Sequence, residues 1–462
     1  MSTRSETQPL VQGGGRRRIA VVPFGCKVSR IEAESLLAAC TTGEPAAPET
    51  AEVVVLHGCA VTSRAERDAR RCLRHLRRVN ARATLVVTGC LAQRDGETLA
   101  RLPEADLVVP AAGLGDLSRL IDECERGLHP GRIIPPQPSC PPEVFAATFP
   151  GGERTRAFLK IQDGCGRRCA FCIVPSLRGA ERSAPPELVE REIRRIGDAG
   201  VAEVVLAGVH LAAWGKERGT DLLVLLRALE KKPPACRLRL SSLEPMEAGE
   251  ALVEFVATSR VVVPHLHLPL QSGSDAVLRR MRRGITAALF RALAERALRA
   301  NPRLHLATDL IAGFPGETDA EFEASHRLAR DLPFASLHVF PFSPRRGTRG
   351  AELFAKDPVP SRVVTARAAI LRRLGEAKAR LFRRRASGTV ADAVVLGGGI
   401  ALTDHYLEAA LRAPLPPGAR LAVRLAAAGP SAALTAIPAG EAGTIPPPER
   451  TPAAFPGRRV PR

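Results

Sequence analysis

The chain is poor in aromatic residues and in acidic charge. Its 462 residues include one Trp, one Tyr and three Met, and 67 Lys+Arg against 48 Asp+Glu give a formal net charge of +19. No run of about 18 uncharged apolar residues occurs, which argues against a transmembrane helix, and no apolar run with a small-residue cleavage site occurs near residue 1. We therefore expect a cytoplasmic protein with no membrane partner that binds a polyanion such as nucleic acid.

Most of the cysteines are scattered, and only three lie close together. In a reducing compartment, an odd total of eleven Cys favours metal ligands, catalytic groups or core residues over disulfides. The close group lies in residues 164–172, where three residues separate Cys165 from Cys169 and two separate Cys169 from Cys172. The scattered ones are Cys26, Cys40, Cys59, Cys72, Cys90, Cys124, Cys140 and Cys236.

Apolar runs alternate with helical segments and predict an α/β protein. Runs at 19–24, 52–56, 84–88 and 106–109 predict a parallel sheet in an N-terminal domain over 18–130. Runs at 157–161, 203–209, 236–243, 265–270, 304–311 and 336–342 predict a (β/α)6 partial TIM barrel over 150–385, with its active site at the carboxyl ends of the strands. After a basic helix at 361–385, a small β-barrel is expected over 386–439 and a disordered tail over 440–462.

The three clustered cysteines follow the first predicted barrel strand. Three thiolates on one loop can hold three irons of a cubane, which leaves the fourth iron open for S-adenosylmethionine. The alternatives are a zinc site and three unrelated thiols, but zinc prefers four ligands and the sequence has no second C-x-x-C pair and no neighbouring His. We therefore favour Cys165, Cys169 and Cys172 as cluster ligands and as the catalytic centre.

This segment resembles the C-x3-C-x2-C signature of the radical S-adenosylmethionine superfamily, and longer strings narrow the likeness to its methylthiotransferase family. Those strings are Lys160-Ile161-Gln162-Asp163-Gly164, Ile173-Val174-Pro175, Arg178-Gly179, residues 268–274, residues 309–318 and residues 340–348. The likeness extends over residues 18–438.

The resemblance implies a transferase that converts a C–H bond into a C–S bond. One S-adenosylmethionine supplies a methyl group, and a second supplies the radical that removes hydrogen from C2 of an adenine. Gly25-Cys26-Lys27-Val28 resembles the branch that acts on N6-threonylcarbamoyladenosine at position 37, in the anticodon loop of tRNA. The implied partners are that tRNA, an electron donor such as flavodoxin or ferredoxin, and a sulfur donor. The alternatives are the branches for isopentenyladenosine tRNA or a ribosomal protein, and a non-enzymatic iron–sulfur or zinc RNA-binding protein.

Three scattered cysteines, Cys26, Cys59 and Cys90, each lie just after a predicted strand and directly after a Gly. Loops after parallel strands converge on one sheet edge, so these thiols either meet around one cluster or are small buried side chains. The resemblance favours the cluster, because the family holds an auxiliary four-iron–four-sulfur cluster on three such motifs. Departures from the usual family residues, which are Asn-Gln and Asn-Thr, occur at Ser29-Arg30 and at His57-Gly58.

Candidate contacts for S-adenosylmethionine come from the strand ends and from residues 164–172, which we call the cluster loop. Gly208 resembles the superfamily motif for the methionine end, Gln271 and Gly313 are candidates for the nucleoside side, and Phe171 is a candidate for the adenine. Arg178 and Arg182 are candidates for binding an anion. The histidines expected to be core residues in strands are His210, His265, His267 and His338.

Two basic helices and the C-terminal segment predict the RNA contact. The helix after Ser63 carries an arginine stripe, and the helix at 361–385 has nine basic residues and one Glu. Such faces can be merely solvated, but two of them favour phosphate binding. Residues 388–438 resemble the TRAM module, an RNA-binding β-barrel, with a weak match at Leu402-Thr403-x-x-Tyr406. The stripe consists of Arg64, Arg67, Arg71, Arg74 and Arg78.

Overall fold

The computed structural model describes residues 17–25, 27–39, 43–110, 116–128, 147–148, 155–428 and 433–439. The chain divides into two compact units. The first holds five strands and four helices, and the second holds the remaining described elements. None of the helices in these ranges is long and apolar enough to cross a membrane. The domain limits expected from the sequence stay predictions.

The first unit is a parallel five-stranded sheet with the order β2-β1-β3-β4-β5. Its strands are β1 (Arg17–Pro23), β2 (Gly43–Pro45), β3 (Val53–Gly58), β4 (Thr84–Gly89) and β5 (Leu107–Val109). Its helices are α1 (Lys27–Ala39), α2 (Ser63–Val79), α3 (Cys90–Ala100) and α4 (Leu117–Glu125). The four predicted strands are confirmed. The edge strand β2 was not predicted, because Gly-Glu-Pro carries no apolar signal.

Helix α2 has one apolar face, which packs on the core, and one basic face, which is exposed. Ala69, Leu73 and Leu76 are buried in the core of the first unit. Cys72 is half-buried and packs against the same core, as an ordinary small hydrophobe does. The arginine stripe, at the positions predicted, is exposed along α2.

The second unit begins with the predicted barrel. Its strands are β6 (Ala147–Thr148), β7 (Ala157–Asp163), β8 (Arg182–Ser183), β9 (Glu203–Gly208), β10 (Arg237–Leu240), β11 (His265–His267), β12 (His305–Ala312) and β13 (Ser336–Pro341). Its helices are α5 (Val174–Arg178), α6 (Pro186–Asp198), α7 (Leu222–Lys231), α8 (Pro245–Thr258), α9 (Asp275–Arg280), α10 (Ala287–Ala300), α11 (Asp319–Asp331) and α12 (Arg349–Lys356).

Six parallel strands, β7, β9, β10, β11, β12 and β13, form the partial barrel in two hydrogen-bonded sheets. A parallel bridge between Leu238 and Val262 links the sheets. This confirms the predicted fold. Strand β11 ends earlier than predicted, because Pro269 has no N–H to donate and Gln271 has a positive φ of 76°.

The rest of the second unit is α13 (Ser361–Ala386) and a small closed barrel with the order β14-β15-β16-β18-β17. Its strands are β14 (Val390–Val395), β15 (Ile400–Thr403), β16 (Glu408–Leu411), β17 (Arg420–Ala428) and β18 (Ala433–Pro438). Helix α13 is less uniformly basic on its surface than its sequence indicates. Arg367 is buried and binds Glu317 at 2.8 Å, whereas Arg362, Arg372 and Arg373 are exposed.

A buried ionic network joins the small barrel to the partial barrel. Glu203 is fully buried and accepts hydrogen bonds from Arg237 and Arg239 at 2.8 and 2.9 Å. The same arginines donate to backbone carbonyls of the small barrel, including that of Thr403 at 3.1 Å. Arg239 also stacks on the ring of Tyr406. The Leu402–Tyr406 string therefore packs the small barrel against the partial barrel.

Candidate metal centre

The cluster loop begins where β7 ends, and its first turn admits only glycine. Gly164 has a φ of 73°, and a Cβ there would lie 1.8 Å from the carbonyl oxygen of Ala180. The backbone N–H of Cys165 donates to the carbonyl of Gly179 at 3.0 Å. The loop is thus closed by backbone contacts before its first thiol.

A buried carboxylate fixes the base of this loop. Asp163 is 1 % exposed and accepts hydrogen bonds from Lys160 at 2.8 Å and from the backbone N–H of Gly164 at 2.8 Å. Arg178 and Arg182 donate to the same carboxylate at 3.0 and 3.3 Å. Both arginines, predicted as candidates for an anion, therefore have a structural partner in Asp163.

The middle of the loop is held by the later strands and helices of the barrel. The N–H of Ala170 donates to the carbonyl of Met281 at 2.8 Å, and the carbonyl of Ala170 accepts from Gly350 at 2.6 Å. Cys169 is buried, and its sulfur lies 3.7 Å from Nη1 of Arg283. Residues far apart in sequence thus position the thiols.

His210, a candidate core histidine in the sequence, is buried, and it also lies beside the first thiol. Its Nδ1 is 3.8 Å from Sγ of Cys165 and 3.1 Å from Oε1 of Glu181, while Nε2 is 3.4 Å from Glu247. Burial opposes its protonation, but the contacts with Cys165 and Glu247 prevail and raise its pKa to about 10. A signal for this contact was present, since His210 lies two residues beyond β9, at a carboxyl strand end.

The donor set fits an iron–sulfur cluster better than a mononuclear zinc ion. Cys165, Glu181 and His210 could hold one metal ion, but that set includes only one of the loop thiols. Burial, with Cys169 and Cys165 nearby, raises the pKa of Cys172 to about 12. Three thiolates that repel one another need compensating positive charge, which the irons of a cubane supply through Cys ligation.

Three of the predicted contacts for S-adenosylmethionine lie in or beside this loop, namely Gly208, Phe171 and Arg182. A Cβ at Gly208 would lie 3.0 Å from Oε1 of Gln162, and this oxygen accepts from the N–H of His210 at 2.6 Å. Phe171 packs against a small group of buried apolar side chains that includes Met281. Arg182 pairs with the buried carboxylate at the base of the loop.

Gln271 and Gly313 are both in the left-handed region, for different reasons. Gln271 has a φ of 76°, and its backbone N–H and carbonyl bond to β12 on both sides of Leu310. A non-glycine residue in this region is uncommon and marks a constrained site. Gly313 has a φ of 75°, and a Cβ there would meet Val364 of α13 at 2.4 Å. Packing against α13 accounts for this glycine.

Two of the three other predicted cysteines, Cys59 and Cys90, follow neighbouring strands of the first unit. Cys59 follows β3 and Cys90 begins α3 directly after β4, and both are buried. Gly25 has a φ of 113°, and a Cβ there would lie 2.3 Å from Cβ of Cys59. Gly89 is paired with Gly58 in the sheet. Cys26 itself lies outside the described residues, as do Cys40 and Cys140.

The residues that depart from the usual family motif have partners of their own. Ser29 is buried and donates from Oγ to the carbonyl of Phe24, five residues earlier, at 2.8 Å. His57 is buried and its Nε2 lies 3.2 Å from Oε2 of Glu32. Both side chains therefore have hydrogen-bond partners within the first unit.

A second polar group, missed by sequence reasoning, lies on β11, β12 and β13. His267, Asp309 and His338 offer ligand atoms within 4.8 Å of one another. The expectation of a core histidine is right for His265, which is 4 % exposed, and wrong for His338, whose side chain is 50 % exposed. The alternation of side chains along these strands could be predicted from the sequence. Which face of the strands is exposed to solvent could not be predicted.

Each of the two units contains a segment that matches a known family model. Residues 159–329 match the radical SAM superfamily, and residues 18–110 match the uncharacterized protein family UPF0004. The solved structure of the radical S-adenosylmethionine methyltransferase TsrM from Kitasatospora setae has a TM-score of 0.54 at 14 % identity. It covers 74 % of this chain and 76 % of that one. At that identity the likeness concerns the fold alone.

Curated relatives extend over most of the chain. The threonylcarbamoyladenosine tRNA methylthiotransferase MtaB of Thermotoga maritima is 30 % identical over 84 % of this chain and 90 % of its own length. The enzyme of the same name from Bacillus subtilis is 34 % identical over 72 % and 75 %. The tRNA-2-methylthio-N(6)-dimethylallyladenosine synthase of Anaeromyxobacter is 34 % identical over 90 % and 93 %. The chain therefore belongs to the radical S-adenosylmethionine methylthiotransferase family.

Proposed function

We propose that the protein methylthiolates C2 of N6-threonylcarbamoyladenosine at position 37 of tRNA, in the anticodon loop. Membership of the family implies S-adenosylmethionine and one four-iron–four-sulfur cluster. The observation that carries the proposal is the loop of Cys165, Cys169 and Cys172 at the carboxyl end of the first barrel strand. The names of the relatives in Thermotoga and Bacillus support the substrate.

The chain's own residues prepare this loop for a cluster and its ligand. Cys165, Cys169 and Cys172 are the proposed iron ligands, and the turn at Gly164 and the carboxylate of Asp163 hold them in place. When bound, the cluster and S-adenosylmethionine supply a radical that removes a hydrogen atom too weakly acidic for a side-chain base. Phe171, Gly208, Gln271, Gly313 and Arg182 remain the proposed contacts of S-adenosylmethionine.

A second four-iron–four-sulfur cluster is proposed on Cys26, Cys59 and Cys90. The close approach of Gly25 to Cys59 and the pairing of Gly58 with Gly89 support it, since each of the three glycines directly precedes a proposed ligand. This cluster would supply the methylthio group, with sulfur from a separate donor. An electron donor such as flavodoxin or ferredoxin completes the set of partners.

Exposed arginines support tRNA as the macromolecular partner. Arg64, Arg67, Arg71, Arg74 and Arg78 are exposed along α2. In the second unit, Arg384 and Arg385 are exposed at the end of α13, next to the small barrel. Guanidinium groups bind phosphate oxygens, which position an RNA without reading its sequence. The expected cytoplasmic location is part of the same proposal.

Mass spectrometry of tRNA nucleosides from a deletion strain tests the function. We expect the 2-methylthio derivative of N6-threonylcarbamoyladenosine to disappear and its precursor to accumulate, and the wild-type gene to restore both. The C165A/C169A/C172A gene should not restore them. Loss of the dimethylallyl derivative instead would place the enzyme in the other tRNA branch, and unchanged nucleosides would favour a protein substrate or a binding role.

A further inference from the structure

The polar group of His267, Asp309 and His338 lies on the inner face of the partial barrel. Leu266 and Leu310, which neighbour His267 and Asp309 in sequence, belong to the core under the outer helices. Side chains alternate along a strand, so His267 and Asp309 point to the opposite face. Leu337 and Val339 pack against the same core, which puts His338 on the inner face as well.

Asp309 ties the two imidazoles together and leaves one of them available. Its Oδ1 accepts from Nε2 of His267 at 2.8 Å and from Nδ1 of His338 at 3.2 Å. Nδ1 of His267 is satisfied by the hydroxyl of Ser242 at 2.9 Å. Nε2 of His338 has no hydrogen-bond partner within the described part of the chain, and the side chain is half exposed. Because Nδ1 is directed at Asp309, Nε2 is the ring nitrogen that can donate to an anion when the ring carries both hydrogens.

An exposed aromatic side chain lies two residues from His338 on the same face of β13. Phe340 is two residues beyond His338 on β13, nearer the carboxyl end where the cluster loop lies, and it is 44 % exposed. An exposed Phe on the inner face of a barrel is suited to stack on a nucleobase. A base stacked on Phe340 would lie beside His338, because side chains two residues apart on a strand are neighbours on one face.

The two tRNA substrates differ in the charge of the substituent on N6, and a hydrogen-bond donor such as His338 can distinguish a charged substituent from an apolar one. A threonylcarbamoyl substituent carries a carboxylate, whereas a dimethylallyl substituent is apolar. We propose that His338, oriented by Asp309 beside His267, binds the carboxylate of the threonylcarbamoyl group and so selects the substrate. This inference rests on the proposed function and adds a specificity-determining residue to it. His338 touches the substituent and takes no part in the bond changes at C2.

Binding of modified anticodon stem–loops to the reconstituted holoenzyme tests this proposal. The probes carry at position 37 the threonylcarbamoyl group, its uncharged threoninamide analogue or a dimethylallyl group, with S-adenosylmethionine present and reductant absent. We expect the wild type to bind the acid about 10- to 100-fold tighter than the amide, as one charge-assisted hydrogen bond allows. His338→Gln should bring that ratio close to one. His338→Asn is the second variant if His338→Gln does not fold.

The matched control is His326→Gln, because His326 lies on α11 and stacks on Phe322 outside the barrel interior. It should keep the wild-type ratio. Equal binding of acid and amide by the wild type, or an unchanged ratio in both His338 variants, would overturn the inference. So would a stoichiometric zinc ion that is lost from His338→Gln. Methylthiolation of the dimethylallyl stem–loop alone would instead disprove the proposed function, and turnover of the acid without acid–amide discrimination would disprove only the role of His338.

Discussion

The two sets of proposed cluster ligands are built in opposite ways. Cys165, Cys169 and Cys172 lie on one loop of eight residues, and their spacing alone indicates the site. Cys26, Cys59 and Cys90 are separated by thirty or more residues at each step and follow three different strands. A local motif carries its geometry in its spacing, whereas a dispersed one depends on the register of a whole sheet.

The difference extends to what stabilises each set. The loop in the second unit is anchored by the charges around Asp163 and by backbone bonds from Met281 and Gly350. The edge in the first unit depends on steric fit, because Gly25 lies directly against Cys59. Damage to one set should therefore leave the other folded, and this can be measured.

The largest effect is expected from replacing the loop thiols. The variant C165A/C169A/C172A should lose reductive cleavage of S-adenosylmethionine completely, because these thiols are the proposed ligands of the cluster that supplies the electron. Reconstituted iron should fall from about eight to about four per chain, since each cubane holds four irons. Iron analysis and the yield of 5′-deoxyadenosine measure both. The control Cys72→Ala should keep all the iron, and residual cleavage in the triple variant would refute the ligand assignment.

The next variant separates cleavage of S-adenosylmethionine from transfer of the methylthio group. The variant C26A/C59A/C90A should keep the loop cluster and cleave S-adenosylmethionine, yet form no methylthiolated product, because the second cluster is lost. Comparing 5′-deoxyadenosine with modified nucleoside in the same reaction measures the split. If this variant holds about eight irons and transfers at the wild-type rate, the sheet edge of the first unit is not a cluster site.

Smaller effects should follow from single glycine substitutions in matched pairs. Gly164 and Gly179 have φ angles of 73° and 71°, but only at Gly164 does a Cβ meet another atom within 4 Å. Both Ala variants carry a conformational cost of about 1–2 kcal/mol, and only Gly164→Ala should also lose the loop cluster. In the first unit, Gly25→Ala should lose the other cluster, while Gly127→Ala, which has open space, should not.

Thermal unfolding and iron analysis of the four variants check this prediction. Gly179→Ala and Gly127→Ala should unfold a few degrees lower than wild type with full iron content, as about 1 kcal/mol implies for domains of this size. Iron loss of equal extent in both members of a pair would show that backbone strain alone, and not the close approach, explains the glycines.

Much of the fold was predictable because its signals are local. Six barrel strands and four strands of the first sheet are apolar runs between helices, and the long helix α13 was predicted to within one residue. Strand β2 could not be predicted, since three residues without an apolar side chain are held only by pairing with β1. The burial of Arg367 was also hidden, because its partner Glu317 is fifty residues away in sequence.

The loop of Cys165, Cys169 and Cys172 could be identified as a candidate site from the sequence, because the spacing of the cysteines and the glycine before them are local properties of one segment. The surroundings of this loop became visible only in the folded chain. His210 reaches Cys165 from the next barrel strand, and Asp309 brings His267 and His338 together from three strands. Tyr406 packs beside Arg239. These contacts depend on strand register and on which face of each strand is open, and neither is set by neighbouring residues alone.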